Sequence, residues 1–397
     1  MSKDIVTPLH LSAVYQFDSL KEGMEVFSIA GVGYAYNRMG NKNVTLFEQM
    51  MTALEYGEPF AVKDEFLEKY ENRAWATNSG LTALMLLVFG LTHGKEGKKR
   101  RIVTSPCIYG GSYHQLQLLA EGHGIQAVFV KNPHDFASWR EAINEDTAFV
   151  FLETPANPNA DIFDIQAIAR IAHSAGTVLV VDGTLGVTLQ YPLALGADAV
   201  LHSATKALNR QSTGLGGIIV GSRDFIVRHE AVLNDYLVSL GAIMYPQSAW
   251  FILNNRFTLE RDMAFFSGNA LRVATFLARH GKVKKVNHPV LHGDEMYSLH
   301  GTQMPRGIGG VFSFEMNSYD EAKRFVESVT KSENVYLAPH LGDVRYLMIH
   351  PASTTHAKLT EVQMREVNIT PELVRFSVGL GDPAPVLEDL SAALKNL

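Results

Sequence analysis

The stretch from Val178 to Gly217 reads VLVVDGTLGVTLQYPLALGADAVLHSATKALNRQSTGLGG. Its first residues form an apolar, strand-like run that ends in Asp182. A second short run, 198–201, stops just before His202-Ser203-Ala204-Thr205-Lys206. Both ends are expected on the same edge of a parallel sheet, where loops carry active residues. An acid at one strand end and a lysine at the next suit pyridoxal 5'-phosphate. Lys206 would form the Schiff base, and Asp182 would hold the pyridinium proton so that the ring acts as an electron sink. The hydroxyls of Ser203 and Thr205 stand beside that lysine as candidate phosphate ligands. On spacing alone the same residues also read as a surface lysine in a polar loop and an aspartate capping a helix. Ser203 to Lys206 further matches S-x-x-K of acyl-serine enzymes. That chemistry needs a K-T-G element downstream, which the chain lacks, and a serine that opens a helix.

Outward from this segment, apolar runs alternate with amphipathic stretches from about 74 to 220. Strands are expected at 101–105, 126–130, 147–152, 177–181 and 198–201, with helices at 80–91, 112–122 and 164–175. Such alternation predicts an α/β fold with a largely parallel sheet. Phe47, Met50, Met51 and Leu54 place an earlier helix, with a capping box from Thr45 to Glu48. After about 250 the pattern changes. A long helix at 258–281 leads to strands at 310–316 and 373–378 and helices at 319–330 and 384–396, a smaller α+β domain. Residues 1–42, weakly periodic and rich in turn residues such as Gly33 and Gly40, read as an extended arm. The expected organisation is therefore an arm over 1–42, a cofactor domain over 43–250 and a C-terminal domain over 251–397.

Composition sets outer bounds. The 397 residues carry 35 Lys and Arg against 41 Asp and Glu, a net charge of −6. Binding to nucleic acid through phosphate neutralisation normally needs the opposite balance. The single cysteine, Cys107, excludes an intrachain disulfide framework and suits a reducing compartment. No apolar run approaches the roughly 20 residues that span a bilayer. The N-terminal MSKDIVTPLH lacks the apolar segment of a signal peptide. A cytoplasmic location without membrane or nucleic-acid partners is the expectation. The basic run KEGKKRR at 95–101 reads as a solvated loop.

The lysine segment resembles that of the Cys/Met-metabolism family of pyridoxal-phosphate enzymes, which includes cystathionine γ-synthase, methionine γ-lyase and O-acetylhomoserine sulfhydrylase. Further motifs occur in family order from about Val6 to Leu394. Tyr36-Asn37-Arg38-Met39-Gly40-Asn41 resembles Y-S-R-x-G-N. The resemblance implies that Tyr36 and Arg38 reach the phosphate of a neighbouring subunit, as a planar guanidinium does well. Ala76-Thr77-Asn78-Ser79-Gly80-Leu81 resembles the A-T-x-S-G-M turn, which implies a phosphate site at Ser79, Gly80 and Leu81 on a helix N-terminus. Tyr109-Gly110-Gly111-Ser112-Tyr113 resembles Y-G-G-T-Y, so Tyr109 would stack on the ring and assist proton transfer. Glu153-Thr154-Pro155-Ala156-Asn157-Pro158 resembles E-S-P-x-N-P, with Asn157 at the phenolic oxygen and near the substrate. The arginine of R-x-S-V-G, here Arg375, would clamp the substrate α-carboxylate. His350 and His356 of HPASTTH have H-x₅-H spacing, but no acidic or Cys partner accompanies them, and no metal is expected.

Several positions depart from the family pattern. Asp182 is followed by Gly183 where Asn is usual. Ala207-Leu208-Asn209-Arg210-Gln211 replaces an aromatic and a Gly-His pair after the lysine. His340-Leu341-Gly342 replaces S-L-G or N-V-G, which makes His340 a candidate substrate contact. Arg210 and His340 thus sit where the choice between replacement and elimination could be altered. Residues 57–72 look like a local insertion. The wording HPASTTH and Y-G-G-S-Y is nearest to O-acetylhomoserine sulfhydrylases, whereas γ-lyases usually carry Cys at the position of Gly111. The resemblance implies a small amino-acid substrate, a dimer with shared sites assembling as a tetramer, and γ-replacement giving homocysteine. Methionine γ-lyase, cystathionine γ-synthase and a cofactor-binding protein with little turnover are the alternatives.

Overall fold

The computed structural model describes residues 4–28, 33–94, 99–291, 295–355, 357, 364 and 369–397. In chain order the first elements are α1 (Leu20–Ser28), α2 (Lys42–Glu55), α3 (Asp64–Leu67), β1 (Ala74–Thr77) and α4 (Gly80–Thr92). Strand and helix then alternate through β2 (Arg101–Thr104), α5 (Gly110–His123), β3 (Gln126–Phe129) and α6 (Phe136–Ala142). Next come β4 (Thr147–Glu153), α7 (Ile165–Ser174), β5 (Val178–Asp182), β6 (Ala199–His202) and β7 (Gly217–Gly221). They are followed by α8 (Arg223–Ser239), α9 (Pro246–Asn255), α10 (Leu259–Ala278), β8 (Val283–Asn287) and α11 (Glu295–Gln303). The last elements are β9 (Val311–Met316), α12 (Tyr319–Val329), β10 (Val335–Leu337), β11 (Tyr346–Ile349), β12 (Leu373–Ser377) and α13 (Ala384–Lys395). Contacts group the chain into two compact units, Met1–Gly94 with Asp198–Thr258, and Lys95–Ala197 with Leu259–Leu397.

In the first unit β7 lies between β1 and β6, antiparallel to both, with Thr77 opposite Gly217 and Ala199 opposite Gly221. The expected apolar face of α2 is buried: Phe47, Met50, Met51 and Leu54 are all closed to solvent. Its cap differs from the expectation. Asn41 in extended conformation accepts the Asn43 N–H, so the helix begins three residues before Thr45. Glu48, expected in a capping box, is instead buried and accepts the Ala76 N–H at 2.9 Å and Asn72 Nδ2 at 2.8 Å. It therefore ties β1 to α2. The 57–72 insertion is a packed segment. It buries Phe60 and Leu67, and Arg256 just after α9 binds Asp64 Oδ1 and the Val62 carbonyl. The arm contains α1, which sequence periodicity did not show, and an antiparallel bridge from Val14 to Tyr36.

In the second unit β5, β4, β2 and β3 run parallel in that order. Trp139, Phe163, Ile165, Ile168 and Leu179 belong to the core packed on them. A five-stranded sheet, β10-β11-β12-β9-β8, is parallel only between β10 and β11. Phe376 meets Phe312 edge-on in its core. The expected fold class, α/β with a largely parallel sheet and a smaller α+β part, is the one observed. The position 250/251, expected to divide two domains, falls inside α9. No helix among the described residues is long and apolar enough to cross a membrane.

Candidate active site

Lys206 and the two hydroxyls beside it occupy a turn between β6 and β7. The Lys206 N–H donates to the Ser203 carbonyl at 3.1 Å, and Arg210 and Asn209 N–H groups close the next turn onto the Lys206 carbonyl. Thr205 Oγ1 accepts the Gly216 N–H at 3.0 Å, anchoring the turn to the start of β7. Beneath it, His202 Nε2 lies 2.6 Å from Glu55 Oε1, and both side chains are buried. The pair holds the strand end that leads into Ser203.

The N-terminus of α4 comes up against this turn. A Cβ on Gly80 would stand 3.0 Å from Ser203 Cβ, and one on Gly217 would overlap the Ser79 carbonyl. Two glycines thus let helix, strand and lysine turn close on one another. Ser79 caps the helix, accepting the Thr82 N–H at 3.1 Å, at the positive end of the α4 dipole. The structure so brings Ser79, Gly80, Leu81, Ser203, Thr205 and Lys206 into one region of the first unit. Tyr36 and Arg38 of the same unit are exposed, with the Arg38 guanidinium over the Tyr36 ring and Nη1 donating to the Val238 carbonyl at 2.9 Å.

The second unit gathers Tyr109, Asn157, Asp182, His340 and Arg375. Asp182, the last residue of β5, accepts the Thr184 N–H at 3.0 Å and also its hydroxyl. Arg375 on β12 is buried; its Nη1 donates to Asn157 Oδ1 at 3.4 Å and its Nη2 to the His340 carbonyl at 3.0 Å. Its Nε is buried and has no partner among the described residues. Burial pushes the guanidinium down to about 10, with Tyr109 opposing the shift, so it stays protonated at neutral pH. His340 therefore enters the site through its carbonyl. Gly111 accommodates the Tyr109 ring, which a Cβ there would overlap.

Sequence reasoning passed over Glu153. This buried residue at the end of β4 accepts the Tyr109 N–H at 2.6 Å through Oε2 and the Asn157 N–H at 2.8 Å through Oε1. It is the register partner of Asp182. Burial, and then the Asp182 charge, hold its proton well above the usual carboxylate range. A legible signal existed: TAFVFLE, like VLVVD, is an apolar run terminated by an acid.

Arg210 does not present a free charge near the lysine. Its buried guanidinium bonds the Asn255 carbonyl and Thr258 Oγ1, and so staples the loop after Lys206 to the end of α9. His350 Nε2 donates to the Pro371 carbonyl, which leaves Nδ1 to accept from Ser353 Oγ, both at 2.7 Å. His356 lies outside the described residues.

A parallel α/β unit with an acid at one strand end, and a lysine turn closed against a helix N-terminus, define a pyridoxal-phosphate enzyme. The profile of the Cys/Met metabolism PLP-dependent enzymes matches residues 1–395. The chain belongs to that family. It is 32% identical over 429 residues to an O-acetyl-L-homoserine sulfhydrylase of Leptospira meyeri, covering 98% of this chain and 92% of the relative. It is 31% identical over 396 residues to an L-methionine gamma-lyase of Fusobacterium nucleatum subsp. polymorphum, covering 99% and 94%. Among solved structures, cystathionine gamma synthase from Xanthomonas oryzae pv. oryzae, in complex with aminoacrylate and cysteine, superposes with a TM-score of 0.85 at 28% identity, covering 98% and 93%. A Campylobacter jejuni protein provisionally named an O-acetylhomoserine (thiol)-lyase, which carries N'-pyridoxyl-lysine-5'-monophosphate, gives 0.87 at 27%, covering 99% and 96%. The protein is thus a pyridoxal-phosphate-dependent enzyme of sulfur amino-acid metabolism, of the γ-replacement and γ-lyase class. The residues present fit the cofactor, because the Gly80 and Gly217 cradle leaves no room for a Cβ beside the helix N-terminus.

Proposed function

We propose that the protein catalyses γ-replacement on an activated homoserine ester, O-acetylhomoserine plus sulfide giving homocysteine and acetate. The observation that carries an amino-acid substrate is Arg375. A buried guanidinium with an unpartnered Nε, held in place by Asn157 and the His340 carbonyl, is built to take a carboxylate. Replacement over elimination is supported by the wording of the Tyr109 and His350 motifs and by Gly111, which seats the Tyr109 ring.

Pyridoxal phosphate supplies an electron sink for negative charge developing on the substrate carbons. Lys206 would carry it, Ser79, Gly80, Leu81, Ser203 and Thr205 would hold its phosphate, and Asp182 would keep the pyridine nitrogen protonated. Arg375 orients the substrate through its carboxylate. The Lys206 amine would take the α-proton and move it along the substrate. Tyr109 carries a proton at the γ-position as acetate leaves and sulfide enters. Asn157, which bonds Arg375, would meet the cofactor's phenolic oxygen.

The same reading takes Tyr36 and Arg38 to the neighbouring subunit's phosphate in a homodimer that assembles further as a tetramer. Exposed apolar residues along the arm, among them Leu11, Val14, Leu20 and Phe27, support such an interface. We place the enzyme in the cytoplasm and keep the organisation of 1–42, 43–250 and 251–397 as its arm, cofactor and C-terminal parts. Purified holoenzyme with O-acetylhomoserine and sulfide is expected to release homocysteine and acetate. Ketobutyrate from methionine alone, with no homocysteine from the ester, would establish γ-elimination instead.

A further inference from the structure

We propose that Glu153 is a positioning residue of the active site: its carboxyl group fixes the main chain at Tyr109 and at Asn157, and so orients both side chains for the reaction. The inference rests on the function proposed above. Tyr109 lies in the loop after β2, and Asn157 in the loop after β4. Among the described residues no main-chain hydrogen bond joins these two loops beyond the strand ends, so a side-chain bridge can set their relative placement. Glu153 supplies it, one oxygen to each N–H, at 2.6 and 2.8 Å. Glu153 is 4% exposed, which leaves it no role as a solvating surface group. Its two donors come from the residue assigned to the ring face and the residue that bonds Arg375.

The location is costly for an acid. Glu153 stands at the register position of Asp182 on the adjoining strand, so two carboxyl groups share one buried edge. Burial first, and then the neighbouring Asp182 charge, raise the proton affinity of Glu153. A glutamine at this position has the same size but only one acceptor. Its amide NH₂ would face one of the two N–H groups, so one loop is released while the other stays tied.

The test compares wild-type, Glu153→Gln and Glu153→Ala holoenzymes by cofactor content, melting temperature, visible circular dichroism of the cofactor band and steady-state kinetics. With the glutamine variant folded and loaded, the visible dichroism is expected to fall by at least about half while absorbance is kept. Turnover is expected to drop about ten- to a hundredfold, the effect of one misplaced hydrogen-bonded group, with KM changed less than about threefold. The loss should be smaller when measured in a Tyr109→Phe background, since the two then act through one side chain. Unchanged dichroism and turnover in Glu153→Gln would overturn the assignment. So would failure of the glutamine variant to fold, which would give the carboxyl to the fold alone. The dichroism reads the ring environment without turnover, so it stands even where wild-type enzyme rejects O-acetylhomoserine and the proposed substrate is wrong.

Discussion

Arg375 Nη1 donates to Asn157 Oδ1 at 3.4 Å, joining a residue of the five-stranded sheet to the loop that follows β4. The group expected to bind substrate and the group expected to bind cofactor are thereby in direct contact. On the proposed roles, recognition of the amino acid and placement of the ring would be coupled through one amide.

Arg375→Lys tests this coupling. An ammonium cannot present a planar fork, so it cannot hold Asn157, the His340 carbonyl and a carboxylate together. KM for the amino-acid substrate is expected to rise about ten- to a hundredfold, with cofactor content unchanged. A KM within twofold of wild type would remove Arg375 from substrate binding.

Gly217→Ala probes the cradle at the lysine turn. The added Cβ would meet the Ser79 carbonyl, a backbone atom that cannot swing aside. The start of α4 must shift, and cofactor affinity is expected to weaken about tenfold, a typical overpacking effect. Reconstitution titration of the apoenzyme measures it. Unchanged affinity would show that the helix N-terminus does not hold the phosphate.

Much of this was legible beforehand. VLVVD, TAFVFL and RIVTS announced β5, β4 and β2, since continuous apolar runs ending in polar residues are the mark of buried parallel strands. β1 and β7 were not singled out as strands, because AWAT is only four residues long and GIIVG is bounded by glycines that read as turns. The cap of α2 was misplaced because Thr45 and Glu48 fit a capping-box spacing, whereas Asn41 made the bond. Lys206 and Asp182 were readable as candidates from their residue types and strand-end positions, and Arg375 only through the resemblance of its R-x-S-V-G motif. Glu153 carried the same signal as Asp182, an acid ending an apolar run, but which N–H groups its carboxyl meets is encoded by no spacing in the sequence. Arg210 stood out as a departure, yet its guanidinium turned inward to α9.

Glu48 gives a pH prediction. Burial pushes its carboxyl up to about 7, against the opposing bonds from Ala76 and Asn72. In the unfolded chain it titrates near 4.5. Between these values the unfolded chain releases a proton that the folded chain keeps, so this group's stabilisation is full below 4.5 and is lost as pH rises through 7. Denaturant midpoints at pH 5 and pH 8 should therefore differ less in Glu48→Gln than in wild type. An unchanged difference would contradict the assignment.

The proposed sharing of sites between subunits predicts complementation. Arg38→Ala and Lys206→Ala proteins, each inactive alone, should regain activity when mixed, because a hybrid dimer contains one intact site. Absence of recovery despite demonstrated subunit exchange would confine Tyr36 and Arg38 to their own chain.

The attachment of the cofactor at Lys206 is tested most directly by borohydride reduction of active holoenzyme followed by peptide mass mapping. The peptide containing Lys206 is expected to carry the mass of the reduced pyridoxal phosphate, with no other lysine modified. An unmodified Lys206 peptide from fully reduced, previously active enzyme would contradict it.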